Sequence, residues 1–264
     1  MPTPPETAPP TIPPPGWTSA GLDLGGRRWL VTGASNGIGA ALARAAGARG
    51  ARLVLCGRHV PRLEAVHDAI VADGGPPPGL CPLDLERATA DDYLALAEAV
   101  AADEDALDAL VHCAALLGPL GVIERCDPLT WAKVHQVNLH APFLLTRALL
   151  PLLRAAPAGR IVFTSCGMAR EPKAYWGAYA TSKAGVDALA GTLAAELGPD
   201  SRLRCHALDP APRATASRRQ AYPGESPASL GPLAEAVDAY LWLLAGAVPA
   251  GTPVRQRAAT SGKH

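Results

Sequence analysis

The stretch Thr32-Gly33-Ala34-Ser35-Asn36-Gly37-Ile38-Gly39 constrains this chain more than any other. An apolar run before it, Arg28-Trp29-Leu30-Val31, predicts a buried strand, and an Ala-rich run after it, 40–48, predicts a helix. A glycine-rich turn from strand to helix aims backbone N–H groups and the positive helix end at a pyrophosphate. Gly33 permits the tight reversal, Gly37 the close approach of a dinucleotide, and Gly39 the packing of helix on sheet. A glycine triplet alone is a weak sign, and the flanking strand and helix give it weight.

From about residue 26, short β-type runs alternate with Ala/Leu-rich helical runs. That is the pattern of a parallel sheet covered on both faces. Further strands are predicted at 52–56, 79–83, 109–113, 160–165 and 203–208, with a weak last one at 252–257. Helices are predicted at 61–72, 90–102, 128–155, 175–197 and 233–244, the 128–155 helix being kinked or shortened by Pro142 and Pro151. The fold class that follows is α/β, with a single-domain, Rossmann-type doubly wound parallel sheet over 21–264. Residues 1–20 form a Pro-rich leader, whose prolines block helix and sheet ladders and predict an extended, disordered tail.

Bulk properties narrow the partners. Length, 264 residues, suits one large α/β domain, and 48% apolar content fills a sizeable core. Twenty-four basic and 24 acidic residues cancel, so no electrostatic footprint for nucleic acid is present. Local gatherings at Arg202/Arg204 and Arg213/Arg218/Arg219 read as a solvated rim. Six cysteines (Cys56, Cys81, Cys113, Cys126, Cys166, Cys205) show no CxxC pair and no zinc spacing. No metal is expected, and free thiols in a reducing cytoplasm are. No apolar run is long enough to span a bilayer, and no signal peptide is apparent, so a cytoplasmic protein without a membrane partner is expected.

Tyr179 and Lys183 stand in a Tyr-Ala-Thr-Ser-Lys run on the helix after the fifth sheet strand, spaced to share one face. A lysine beside a phenol favours the phenolate and lowers a pKa that is about 10 unperturbed. A phenol so tuned can give a proton to a carbonyl oxygen or take one from an alcohol. Tyr175 competes, but Tyr179 rather than a lysine follows it at that spacing. Through the glycine turn, Asp84-Leu85, Val137-Asn138-Leu139 and the Tyr179/Lys183 pair, the chain from about 25 to 245 resembles the short-chain dehydrogenase/reductase family. Trp176-Gly177-Ala178-Tyr179 and Leu241-Trp242-Leu243-Leu244 are similar to a bacterial branch of mostly uncharacterised oxidoreductases.

The resemblance implies Tyr179 as catalytic acid/base and Lys183 as holder of the nicotinamide ribose and tuner of the phenol. It implies Asn138 as support for a proton-relay water at a helix distortion. Asp84, with Leu85 beside it, accepts from the adenine amino group. Ser35, Asn36 and Ile38 join the three glycines in the phosphate turn. A homodimer or homotetramer, paired through the 128–155 and 175–197 helices, is also implied. Arg58 follows the second sheet strand, and no acid occurs until Glu64. An acid there grips a ribose 2′-OH, whereas an arginine accommodates a 2′-phosphate, so NADP(H) is expected over NAD(H).

The chain departs from the family at several points. Counting back from Tyr179, the family's catalytic serine falls on Cys166. Ser165 is one residue away and faces the other side of an extended chain unless a bulge re-aims it. A thiol is a poorer donor than a hydroxyl, so substrate polarisation by Cys166 is weaker. A thiol near Lys183 could also have a depressed pKa and a redox role, against the plainer reading of an inert strand cysteine. Asn-Ala-Gly of the family is here Cys113-Ala114-Ala115, and Asn-Pro-Gly is Asp209-Pro210-Ala211. Thr215 stands where a nicotinamide carboxamide contact is expected, within a short polar lid, 212–230. Met168, Tyr175 and Trp176 line an apolar substrate pocket or serve core packing. Two functions follow: an NADP(H)-dependent oxidoreductase interconverting a small carbonyl compound and its alcohol, or a catalytically impaired dinucleotide-binding protein of the same fold, used for sensing or assembly.

Overall fold

The computed structural model describes residues 9–245, 248–249 and 251–259. Its strands are β1 (Thr11–Ile12), β2 (Arg28–Thr32), β3 (Arg52–Gly57), β4 (Gly79–Pro82), β5 (Ala109–His112), β6 (Arg160–Thr164), β7 (Arg204–Asp209) and β8 (Arg255–Ala258). The main helices are α1 (Gly37–Gly47), α2 (Val60–Ala72), α3 (Ala90–Ala101), α4 (Pro128–His135), α5 (Ala141–Ala155), α6 (Gly177–Leu197), α7 (Ala216–Ala221) and α8 (Leu233–Leu244). All strands run parallel in one sheet, ordered β1-β8-β7-β6-β5-β2-β3-β4.

Alternation along β2 builds both layers. Trp29 and Val31 point to one face and pack with Leu42 and Ala46 of α1, Leu63 and Ile70 of α2, and Tyr240 and Leu243 of α8. Leu30 points to the other and packs with Tyr93 of α3, Leu145 and Leu149 of α5, and Val186 and Ala190 of α6. A strand buried on both faces must be apolar throughout, and each buried Leu, Val or Ile stabilises the fold by roughly 1.5–3 kcal/mol. Strand order reverses between β2 and β5, and in such sheets the crevice beyond the carboxyl ends of the strands receives the ligand.

The structure differs from the sequence reading in several places. The 128–155 helix is interrupted at Gln136–His140 by a π-helical turn, not at its prolines. Pro142 sits in the first turn of α5, where its missing N–H costs nothing, and Pro151 lies inside α5 without breaking it. The α6 helix begins at Gly177, because Tyr175 adopts φ +76. The last strand lies at Arg255–Ala258. Within the segment expected to be a loose tail, Thr11–Ile12 pairs with Arg257 and Ala258 as the outermost strand, and Ile12 is buried; residues 1–8 lie outside the described ones. Arg213 is no rim residue: it is 2% exposed, binds Glu235 at 2.6 Å and donates from Nε to the Pro210 carbonyl at 2.9 Å. Among the described residues no helix is long and apolar enough to cross a membrane, and no metal-binding cluster occurs.

Candidate active site

A cleft of about 700 Å³ opens along the carboxyl ends of the strands. The β2–α1 turn forms its central wall. Gly33 takes φ +66, and a Cβ there would lie 2.7 Å from the Ala114 backbone nitrogen. A Cβ on Gly39 would lie 2.5 Å from the Gly33 carbonyl oxygen. Neither position has room for a side chain, so the turn presents backbone. Asn36 caps α1 by accepting from the Gly37 N–H at 2.7 Å. No acid occupies the first turn of α1, so its positive end faces the cleft unopposed. Ser35, Ile38, Cys113, Ala114 and Ala115 complete this wall. The Ala114 N–H donates to Thr32 Oγ1 at 3.3 Å, which ties the β5 exit to the turn.

At the β3/β4 end the cleft is lined by Arg58, His59, Arg62, Asp84 and Leu85. Arg58 is largely exposed, with Glu86 3.9 Å away, and Glu86 also meets Lys133 at 3.1 Å. Asp84 accepts from the Glu86 N–H at 3.2 Å. Arg62, which the sequence reading does not single out, stands in the first turn of α2, shortly after Arg58.

At the other end Tyr179 and Cys166 line the cleft, while Lys183 and Asn138 lie buried behind that wall and do not line it. Lys183 is 2% exposed and donates from Nζ to the Thr164 carbonyl at 2.6 Å, with the Tyr179 ring centroid 5.8 Å away. Burial pulls the Lys183 ammonium below its ordinary pKa, against the Cys166, Cys113 and Asp187 groups. Tyr179 faces the Cys166 thiol, and burial first, then Cys166 and Asp209, push the phenol above its ordinary value. That is opposite to the lowering expected from the lysine alone: Lys183 spends its proton on Thr164, while desolvation disfavours a phenolate. Burial likewise raises the Cys166 thiol, with Lys183 opposing, so the thiol is not the activated one the sequence allowed. Behind Lys183, burial drops His112 to about 3, and this neutral ring stacks on Phe163 at 4.7 Å.

Asn138 lies in the π-helical turn, 1% exposed. Its Oδ1 accepts from the Leu116 N–H at 2.7 Å, and its Nδ2 donates to the Leu116 carbonyl at 2.9 Å and to Ser182 Oγ at 3.0 Å. A buried amide satisfied from both sides holds the helix in its bulged form and locks the chain beyond β5 against α6. Cys166 and Ser165 go opposite ways, as neighbours on extended chain must. The thiol turns to Tyr179, while the Ser165 hydroxyl, 3% exposed, faces Asp187.

Asp209 accepts from the Ala211 N–H at 2.9 Å and from Arg170 at 3.2 Å. Ala211 holds φ +56, where an L-residue carries a strain of about 1–2 kcal/mol. The Asp209 bond offsets part of this strain, which explains how the turn survives without glycine. Pro210 follows on the cleft wall. Thr215 caps α7, accepting from the Arg218 N–H at 3.2 Å, and its methyl would lie 3.5 Å from a Cβ on Gly37. The lid thus crosses to the glycine turn. Trp176 and Met168 line the cleft, but Tyr175 does not: its left-handed backbone turns the ring to solvent, 60% exposed. In its place stands Tyr222 from the lid, 5.7 Å from Trp176 and covered by Arg218 at 3.8 Å. Sequence offered no signal for Tyr222, because its partner is remote along the chain.

Comparison with known proteins agrees with this geometry. The model of the family described as short chain dehydrogenase matches residues 27–226. The uncharacterized oxidoreductase YciK of Escherichia coli (strain K12) is 39% identical over 221 residues, covering 84% of this chain and 87% of that protein. A short chain dehydrogenase from Shigella flexneri 2a, solved in complex with NADP, is 37% identical with a TM-score of 0.85, over 89% of this chain and 98% of that one. Another, from Escherichia coli CFT073 in complex with NADPH, is 38% identical with a TM-score of 0.84, over 89% and 97%. With the parallel sheet, the glycine turn and this breadth of similarity, the chain belongs to the short-chain dehydrogenase/reductase family of oxidoreductases.

Proposed function

We propose that this protein is an NADP(H)-dependent oxidoreductase that interconverts a small carbonyl compound and its alcohol, with Tyr179 as acid and base. The observation that carries this reading is one cleft with a glycine turn at its centre that has no room for side chains at Gly33 and Gly39, two arginines at one end, and a phenol with a buried lysine behind it at the other. Residues 33–39 would hold the pyrophosphate, Arg58 and Arg62 a 2′-phosphate, and Asp84 and Leu85 the adenine. Lys183, Pro210, Thr215 and the 113–115 wall would hold the nicotinamide half. Bound NADP(H) supplies or accepts a hydride.

The protein's own part is the proton and the placement. Tyr179, kept neutral by burial, gives its hydroxyl proton to the carbonyl oxygen as negative charge grows there. Lys183, with Nζ held by the Thr164 carbonyl and 5.8 Å from the ring centroid, would stabilise the phenolate left behind. Asn138 fixes the bulged turn beside them. Cys166 orients the substrate oxygen, more weakly than a hydroxyl does. Trp176 and Tyr222 form an aromatic wall for the rest of the substrate.

Two measurements check the wider reading. Arg58→Ala should weaken NADPH binding about tenfold, roughly 1.4 kcal/mol, and leave NADH binding unchanged; fluorescence titration showing tighter NADH binding that survives the change would overturn the cofactor preference. A homodimer or homotetramer is proposed on the exposure of Leu129 on α4 and Phe143 on α5. Light scattering should give a multiple of the 27.1 kDa chain mass, and a monomer would remove that proposal. The alternative, a catalytically impaired protein of this fold, draws on the raised Cys166 thiol at the serine position. NADPH binding with no turnover across a panel of aldehydes and ketones, and no gain on Cys166→Ser, would favour it.

A further inference from the structure

Cys56 and Cys81 sit directly opposite each other on β3 and β4, paired in register. In-register partners on parallel strands point to the same face, and neighbouring strands lie about 4.8 Å apart. A disulfide needs its Cα atoms between roughly 4.4 and 6.8 Å apart, so this pair already has the required backbone spacing. Both side chains belong to the α3 side of the sheet. Cys56 is fully buried, whereas Cys81 is half-buried on the edge strand, between the exposed Leu80 and Pro82. The two thiols also interact directly: the bond from Cys56 holds the Cys81 thiol below its ordinary pKa, with burial opposing, while Cys56 is pushed up. One thiol is therefore reachable and disposed to ionise, and the other is protected beside it. The chain leaves these strands as Gly57-Arg58 and Leu83-Asp84, the β3/β4 end of the cleft.

We propose that Cys56 and Cys81 are a reversible dithiol–disulfide pair, oxidised by hydroperoxides, that controls the β3/β4 end of the dinucleotide cleft. The Cys81 thiolate attacks a peroxide oxygen, breaking the O–O bond to give a sulfenic acid and hydroxide. The Cys56 sulfur then attacks the sulfenic sulfur. The S–O bond breaks, and the sulfenic hydroxyl leaves as water with the Cys56 proton, while a proton from solvent neutralises the hydroxide released in the first step. Two thiols are oxidised and one peroxide is reduced, and a dithiol reductant reverses the change. Closing the bridge draws the Cβ atoms to about 3.8 Å, nearer than the strands hold them. The strand ends that carry Arg58 and Asp84 then shift, and NADP(H) binds less tightly.

The effect on NADP(H) rests on the cofactor assignment, whereas formation of the bridge does not, so two readouts separate them. The full chain is treated with a few equivalents of hydrogen peroxide, weighed intact, then alkylated and peptide-mapped. A Cys56–Cys81 cross-linked peptide, with intact mass lower by two hydrogens and restored by dithiothreitol, is expected; Cys81→Ser and Cys56→Ser should each abolish it. Sulfinic acid on Cys81 without the cross-link, or cross-linking of another pair first, overturns the proposal. For the cross-linked protein, titration with NADPH should show about tenfold weaker binding that dithiothreitol restores and that Cys81→Ser lacks. An unchanged affinity in protein shown by mass to be cross-linked overturns the control of the cleft and leaves the disulfide standing.

Discussion

Tyr179→Phe is expected to lower kcat for carbonyl reduction by about a thousandfold, the scale of losing a positioned general acid, while NADPH binding stays within about twofold. The substitution removes one oxygen and keeps the ring, which packs edge-on against Trp176 at 5.8 Å. Lys183 keeps its bond to the Thr164 carbonyl, so the site does not collapse. The same geometry sets the pH dependence. Because burial, Cys166 and Asp209 raise the phenol, the acid form persists at and above neutral pH, and reduction should not decline through neutrality from loss of that proton. In the companion variant Cys166→Ser, a hydroxyl replaces the thiol facing Tyr179, and kcat should rise about threefold to tenfold, one neutral hydrogen bond's worth. Steady-state kinetics on a carbonyl substrate checks both. Turnover unaffected by Tyr179→Phe would remove the proposed mechanism while leaving the fold and family in place.

Gly39→Ala should be nearly as damaging, though it adds a single methyl far from the phenol. The new carbon would lie 2.5 Å from the Gly33 carbonyl oxygen and 3.2 Å from Cys113 Cβ. Backbone cannot swing aside as a side chain can, so the start of α1 must move or the β2–α1 turn must open. Overpacking of this kind costs about 3 kcal/mol, and for a domain of this size Tm should fall by roughly 6–12 °C. NADPH binding should weaken about a hundredfold, because the N–H groups of a displaced turn no longer converge on one pyrophosphate. Thermal unfolding with and without NADPH measures both effects. Equal Tm and equal NADPH stabilisation in variant and parent would show that the glycine turn is not the phosphate site.

The glycine turn, the alternation of short strands with helices, and the Tyr179/Lys183 spacing were all legible, because each depends on a local rule. A turn needs particular residues at particular positions, a parallel strand must be apolar on both faces, and side chains one helical turn apart share a face. Boundaries were less legible. Helix 128–155 carries two prolines, yet it breaks at Asn138, since the break is enforced by the Leu116 backbone rather than by local propensity. Arg213 looked like surface among other arginines, but Glu235 and the Pro210 carbonyl bury it. The direction of the Tyr179 shift does not follow from the lysine alone, because desolvation depends on what packs around the phenol.

What the sequence by itself determined is the architecture, the family and the glycine turn: these follow from residue type and spacing within one element or across one connection. Tertiary structure alone decided that Cys166 rather than Ser165 meets Tyr179, that Tyr222 replaces Tyr175 on the aromatic wall, and that Cys56 lies against Cys81. Those relations join segments remote along the chain or turn on the direction a side chain takes. They arise only once strands have found their register and helices their rotation, through packing energies that no local window contains.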